Sequence, residues 1–297
     1  VRVAGHFMSH DHDDVTFEIP AGADRVRLAS SNDFPADYRY FGFAFQCGDF
    51  ASEARLGAEV SWRSVTGPAP ENLEARIAES LAWIAKNGET DTETALACAA
   101  VGDEVALARA EAIINTALPG IEQCYDCADF ALVPLLWTRI VFADRLPASL
   151  VARIDAAILE FRYWMDEPGN DVQWYFSENH ALLFHTSAYL AGNLLPQSHF
   201  RRADRNGTAQ KQAGYERLMA WFDHFEAAEM AEFNSGTYFP IDLKGLAALF
   251  ALAPDEVIRK RASGAITRLI TMIANSAHHG VITGAQGRSY EHSLCVA

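Results

Sequence analysis

The stretch WYFSENHALLFHTSAYLAG, residues 174–192, sets a group of polar side chains directly before an apolar run. The run predicts a helix over residues 177–195. Ser177 stands where an N-cap side chain accepts a hydrogen bond from the first turn, and the helix dipole favours Glu178 there. Capping is a sufficient explanation for these two residues but not for the polar residues that follow them.

Asn179, His180 and His185 are the residues that capping leaves without a role. The two histidines are five positions apart, which is about 140° around a helix at ~100° per residue. They therefore cannot bind one metal ion from one face, and the HExxH pattern of zinc peptidases is absent from the sequence. We expect no metal and no cofactor here. The alternative to a functional role is helix capping and packing.

Two regions of different periodicity make up the chain. Residues 1–65 hold alternating, aromatic-rich segments that predict short strands at 15–20, 24–30 and 38–45. After the break TGPAPEN, residues 66–297 follow the helical period. The predicted helices span 71–88, 90–102, 103–120, 128–145, 147–166, 177–195, 209–230, 240–253 and 254–277. We therefore expect a mainly α fold, an α/α toroid of helical hairpins, behind a short N-terminal segment that contains β-strands.

Composition limits the partners. The chain has 297 residues, half of them hydrophobic, which is enough for a large core. A formal net charge of −15 argues against nucleic acid and anionic membranes. No apolar run is long enough to span a bilayer. Val1 is not an initiator methionine, so we expect a processed chain or a fragment, which leaves the compartment (periplasmic, secreted or cytoplasmic) and the oligomeric state open.

A second polar stretch, EFNSGTYFPIDL at 232–243, joins two predicted helices. It carries Glu232, Asn234, Tyr238 and Asp242, residue types that transfer protons and bind hydroxyl groups. The alternative is a structured turn, in which Asn234 supplies turn dihedrals and Asp242 starts a helix.

A third polar stretch, GAQGRSYEH at 284–292, contains Arg288 and Tyr290 after two glycines. Trp174 precedes the first stretch, and an aromatic ring beside carboxylates and amides is a common way to hold a sugar. A surface loop and core packing are the respective alternatives.

Two further patterns are better explained as structural. His10-x-His12-x-Asp14 partly matches a metal motif, but a polar turn is the preferred explanation. Cys124-Tyr-Asp-Cys127 has CxxC spacing with no second pair, which favours a structural role over a redox or metal site.

Together, SENHALLFHTSAYLAGNLLP, EFNSGTYFPIDLKGLAAL and GRSYE resemble bacterial helical-toroid proteins related to carbohydrate-active enzymes. Asn179-His180 with the later Tyr238 is also similar to the pattern of toroid polysaccharide lyases of the heparinase II/III and alginate lyase groups. Those lyases carry a C-terminal β-sandwich, so either a domain follows residue 297 in a longer protein or the likeness is confined to the toroid.

The resemblance implies β-elimination on a uronic-acid polymer. It assigns Asn179 to the substrate carboxylate, with Glu178 as a protonated helper, and His180 as base or carboxylate partner. It makes Tyr238 the acid, and the base too for a syn elimination, while Arg288 is the natural cation for a uronate. Further substrate contacts are expected from Tyr290, Trp174, His185 and Asn234.

Two alternatives remain open at this point. A glycoside hydrolase would use paired carboxylates, Glu178 with Glu232 or with Asp242. A helical carbohydrate-binding module without catalysis would keep the aromatic residues only.

Overall fold

The computed structural model describes residues 72–278 and 281–290 and, before them, five strands and the turn residues Gly22, Ala23, Arg25 and Asp49. Contacts divide the chain into two units. Val1–Pro68 with Ser289–Ala297 form the first, and Ala69–Arg288 form the second. Each unit is described by itself.

The described part of the first unit is an antiparallel sheet. Its strands are β1 (Arg2–Phe7), β2 (His10–Asp11), β3 (Val15–Thr16), β4 (Tyr40–Cys47) and β5 (Phe50–Gly57). They are ordered β2-β1-β4-β5, and β3 also pairs with β1. Strands were expected at 15–20 and 38–45, and β3 and β4 lie there. The strand expected at 24–30, together with His12 and Asp14 of the possible metal motif, lies outside the described residues, whereas His10 belongs to a strand rather than a turn.

The second unit is built from helices, which confirms the mainly α prediction. Its described helices are α1 (Leu73–Asn87), α2 (Thr92–Val101), α3 (Glu104–Glu122), α4 (Ala128–Phe142), α5 (Ala148–Glu160), α6 (Glu178–Leu194), α7 (Gly207–Ala228), α8 (Phe239–Leu252) and α9 (Glu256–Ser276). Two short ribbons accompany them, β6 (His199–Phe200) with β7 (Arg205–Asn206) and β8 (Ala277–His278) with β9 (Val281–Ile282). None of the helices in the described part of the chain is long and apolar enough to cross a membrane.

Two predicted helix ends are wrong. The helix expected to stop at Pro119-Gly120 continues to Glu122, since burial of Ile121 favours the last turn and proline removes only its own N–H bond. The helix expected over 147–166 stops at Glu160. There the backbone N–H of Tyr163 donates to Glu167 Oε2 at 2.7 Å, a contact that draws the chain into a loop.

Helix α6 lies in the centre of the second unit and packs against α4, α7 and α8. It is buried on nearly every side from Asn179 to Gly192, which explains why its sequence shows a continuous apolar run. Against α7 the two backbones approach so closely that a Cβ at Gly214 would lie 2.5 Å from Tyr189 N. A Cβ at Gly192 would clash with the Lys211 backbone in the same way.

The even-numbered helices begin at the same end of this unit. Lys244, in the second turn of α8, forms an ion pair with Glu93 in the first turn of α2. Its Nζ also donates to the carbonyl of Phe130, in the first turn of α4, at 3.3 Å. Gly245 lies against Leu182 and Leu183 of α6. The N-termini of α2, α4, α6 and α8 are thus brought together.

Gly214→Ala tests the close approach of α6 and α7. The added methyl meets backbone atoms that cannot rotate away, so we expect a loss of about 1–3 kcal/mol in the free energy of unfolding. Urea unfolding followed by circular dichroism measures it. Gly264→Ala on α9 is the matched control, because nothing lies within 4 Å of its Cβ position. That variant should gain about 0.5–1 kcal/mol, and an equal loss in both variants would contradict the close approach.

Candidate functional site

Glu178 fixes a loop across the start of α6. Its two carboxylate oxygens accept hydrogen bonds from the backbone N–H groups of Ala231 and Glu232, at 2.9 and 3.0 Å. Its own carbonyl accepts from Trp221 Nε1 at 3.0 Å. Because Glu178 also lies in the first turn of a helix, its negative charge is favoured there. The structure therefore gives Glu178 a definite architectural role and brings Glu232 to the mouth of α6.

A continuous chain of contacts joins all three polar stretches. Asn179 Nδ2 donates to Glu232 Oε2 at 2.6 Å, and Arg288 donates to Glu232 Oε1 at 2.9 Å. The Arg288 guanidinium carbon lies 4.2 Å from the centroid of the Tyr238 ring. Asn179, Glu232 and Tyr238 are buried, while the Arg288 side chain is 39% exposed. Side chains from the three polar stretches therefore form one cluster, and Arg288 is the cation through which this cluster reaches solvent.

The third stretch is attached to the second by its backbone. Gly287 N donates to Phe233 O at 2.8 Å, and a Cβ at Gly287 would collide with the carbonyl of Ala231. Asn234, whose φ is 55°, donates from Nδ2 to the carbonyl of Thr283 at 2.8 Å. Asn234 was expected to contact substrate. Here its amide joins the two loops that carry Glu232 and Arg288.

His180 forms a buried pair with a residue that the sequence analysis did not select. Its Nδ1 lies 2.8 Å from Asp129 Oδ2, and its ring stacks on Phe130 with centroids 4.6 Å apart. Burial raises the pKa of the Asp129 carboxyl, while the hydrogen bond with His180 opposes that rise. Since Asp129 uses Nδ1, Nε2 is the nitrogen left for another partner.

Asp242 lies in the first turn of α8 and is completely buried. Burial raises the pKa of its carboxyl well above the usual range, and the negative charges of Glu232 and Glu178 raise it further. Neither of its oxygens has a hydrogen-bond partner among the described residues. Burial and these two carboxyls therefore favour the protonated form of Asp242, a shift of the kind that acid–base sites use.

The other predicted residues lie apart from this cluster or serve it indirectly. Ser177 occupies the N-cap position, but the capping prediction is wrong, because its hydroxyl makes no cap hydrogen bond and is buried. His185 is buried beside Trp164, with ring centroids 4.4 Å apart. Trp174 is 53% exposed and packs edge-on against Phe176. Tyr290 belongs to the first unit, so its role stays a prediction.

The CxxC pair lies between α3 and α4. Cys124 is buried, Cys127 is exposed, and both are free thiols with positive φ. Loss of solvent around its sulfur raises the pKa of Cys127 to about 11, with Asp126 and Asp129 adding to the rise. A thiol with so high a pKa is a poor nucleophile at neutral pH. In the part of the chain that the structure describes, no three His, Cys, Asp or Glu side chains are placed to bind a metal ion.

His185 makes the stability of the fold depend on pH in a way that can be measured. Burial lowers its pKa to about 3, and the nearby Arg217 contributes. A histidine with a depressed folded pKa takes up its proton more readily when unfolded, so the stability it contributes is complete above about pH 6.5. That stability falls as the pH drops from there towards 3, by about 1.4 kcal/mol per pH unit.

His185→Phe should flatten this acid limb in urea unfolding series recorded at several pH values. His199→Gln, which replaces an exposed imidazole, serves as the control. An unchanged slope in His185→Phe would contradict the assignment.

Comparison with known proteins gives no relative to draw on. No protein-family model, no curated protein and no solved structure matches the chain. What the cluster does must therefore be argued from its own side chains.

Proposed function

We propose that the protein is a carbohydrate-active enzyme that cleaves a uronate-containing polysaccharide by β-elimination, within an α/α toroid. The observation that carries the proposal is the contact chain Asn179–Glu232–Arg288–Tyr238, which holds an amide, a cation and a phenol in one cluster. The common direction of α2, α4, α6 and α8 supports the toroid, because inner helices of such rings start at the same end.

The first requirement of β-elimination is that the substrate carboxylate be neutralised, so that the proton on the adjacent carbon becomes acidic. Arg288 is the group suited to this step. Its guanidinium is partly exposed and already donates a hydrogen bond to a carboxyl, that of Glu232, at 2.9 Å. Asn179 lies behind it and orients Glu232, so the cation is held in place before substrate arrives.

The second requirement is a base for that proton. His180 supplies an imidazole whose orientation is fixed by Asp129 at Nδ1 and by stacking on Phe130. Nε2 takes the proton, the carbon–hydrogen electrons form the new double bond, and the bond to the glycosidic oxygen breaks. Asp129 stabilises the imidazolium that results.

The third requirement is an acid for the departing oxygen. Tyr238 supplies the phenol, and Arg288 above its ring stabilises the phenolate that remains after the proton leaves. Return of the proton from His180 through solvent restores both groups. Trp174 and Phe176, exposed four and two residues before Glu178, offer faces for neighbouring sugar rings.

One observation favours a hydrolase as the second candidate. The charge of Glu232 acts on Asp242 and raises the pKa of its carboxyl, as one carboxyl does to the other in an acid–base pair. Complete burial of Asp242 keeps it from a substrate bond, so this candidate ranks below the lyase.

Tyr238→Phe decides between these functions. On a panel of alginate, glucuronan, heparin-like chains and pectate, we expect the near-ultraviolet absorbance of unsaturated uronate to rise with the wild type. Loss of the phenol should lower the rate about 10²–10⁴-fold with binding retained. Tyr215→Phe on α7 is the matched control and should keep full activity.

The other outcomes are equally informative. Reducing ends without that absorbance, lost in Glu232→Gln, would replace the lyase by the hydrolase. Binding of a glycan without cleavage would leave only a carbohydrate-binding module.

A further inference from the structure

Asp242 and Asn179 lie at the same level of two neighbouring helices. Gly245 of α8 packs against Leu182 and Leu183 of α6. One turn earlier on each helix are Asp242 and Asn179, and both side chains are completely inaccessible to solvent. The charges of Glu232 and Glu178 both act on Asp242, and Glu232 contacts Asn179, so these four side chains lie at the same end of α6 and α8.

If Asp242 were ionised, buried acceptors in this group of side chains would lack a hydrogen-bond donor. Both oxygens of Glu232 accept, Oε1 from Arg288 and Oε2 from the amide nitrogen of Asn179. The amide orientation is thereby fixed, with Nδ2 on Glu232 and Oδ1 turned away from it. Oδ1 then has no donor among the described residues, and neither oxygen of Asp242 has one. Buried acceptors without a donor are costly.

The charges around Asp242 also disfavour a second anion there. The negative charges of Glu232, in the loop before α8, and of Glu178, in the first turn of α6, both act on Asp242. The first turns of α6 and α4 also carry His180 and Asp129, which pair with each other. The last turn of α9, Met272–Ser276, carries no charged side chain. The nearby cations are engaged elsewhere: Lys244 with Glu93 and Arg288 with Glu232.

We propose that Asp242 is a positioning residue of the candidate site, whose carboxyl carries a proton at neutral pH and donates it in a hydrogen bond to the amide oxygen of Asn179. That bond supplies the missing donor. It also orders the cluster in one direction: Asp242 fixes Asn179, Asn179 fixes Glu232, and Glu232 holds Arg288 over Tyr238. Its role in catalysis rests on the proposed function, whereas the proton on Asp242 does not.

Infrared difference spectroscopy at neutral pH tests the proton directly. The spectrum of the wild type minus that of Asp242→Asn should contain the C=O stretching band of a protonated carboxyl, shifted in D₂O. The band should move when the acceptor is removed in Asn179→Ala. Asn179→Leu, which keeps most of the volume, is the second variant if the alanine variant does not fold.

The pH profile of activity tests the positioning role. Asp242→Asn keeps an N–H donor, so its rate at neutral pH should stay within about threefold of the wild type, and Asp242→Ala should lose about tenfold, as one net hydrogen bond predicts. Ionisation of Asp242 should contribute to the loss of wild-type activity at alkaline pH, so that limb should move to higher pH in Asp242→Asn. Glu167→Gln is the control, since this buried carboxyl is paired with Arg205 far from the cluster and should leave that limb unchanged.

Absence of the infrared band would overturn the proposal, because Asp242 would then be ionised. A band that stays at the same frequency in both Asn179 variants would overturn the hydrogen bond. An alkaline limb that stays at the same pH in Asp242→Asn would overturn the positioning role. If no polysaccharide is cleaved, the proposed function fails, and the infrared result still decides the state of Asp242.

Discussion

Helix ends that meet in one place impose the central constraint on this molecule. Each helix start leaves backbone N–H groups without partners and carries a partial positive charge. With α4, α6 and α8 starting together, this end of the unit attracts anions, and each of the three first turns holds an acid, namely Asp129, Glu178 and Asp242. Glu178 accepts from backbone N–H groups, and one oxygen of Asp129 is paired with His180.

The same constraint explains why cations join this group of acids. A cluster of acids alone would be self-repelling, so Arg288 and Lys244 are drawn to it and become engaged, one with Glu232 and the other with Glu93. Buried networks of this kind are costly when incomplete and ordered when complete. Order is what a catalytic site needs, because a cation and a phenol act only when held in a fixed relation.

Sequence reasoning succeeded where the signal is local. The helices α1 and α6 carry continuous periodic or apolar runs, and their bounds fall within two or three residues of prediction. The three polar stretches were identified because each interrupts such a run. Asp129 was not predicted as a partner of His180, because an acid near a helix start is common and nothing in the spacing of residues 129 and 180 links them. The loop after Glu160 was read as helix because Tyr163 and Glu167 act through a contact that periodicity does not record.

The close contact of α6 with α7 has a consequence for how such a chain can change over evolutionary time. Small residues on these helices fix their register, while the first turn of α6 must present Asn179 and His180 in fixed directions. A single inserted residue between these ends would turn one relative to the other by about 100°. We therefore expect length variation only in the connecting loops. Within α6, the number of residues between its contact with α7 and its first turn must stay constant.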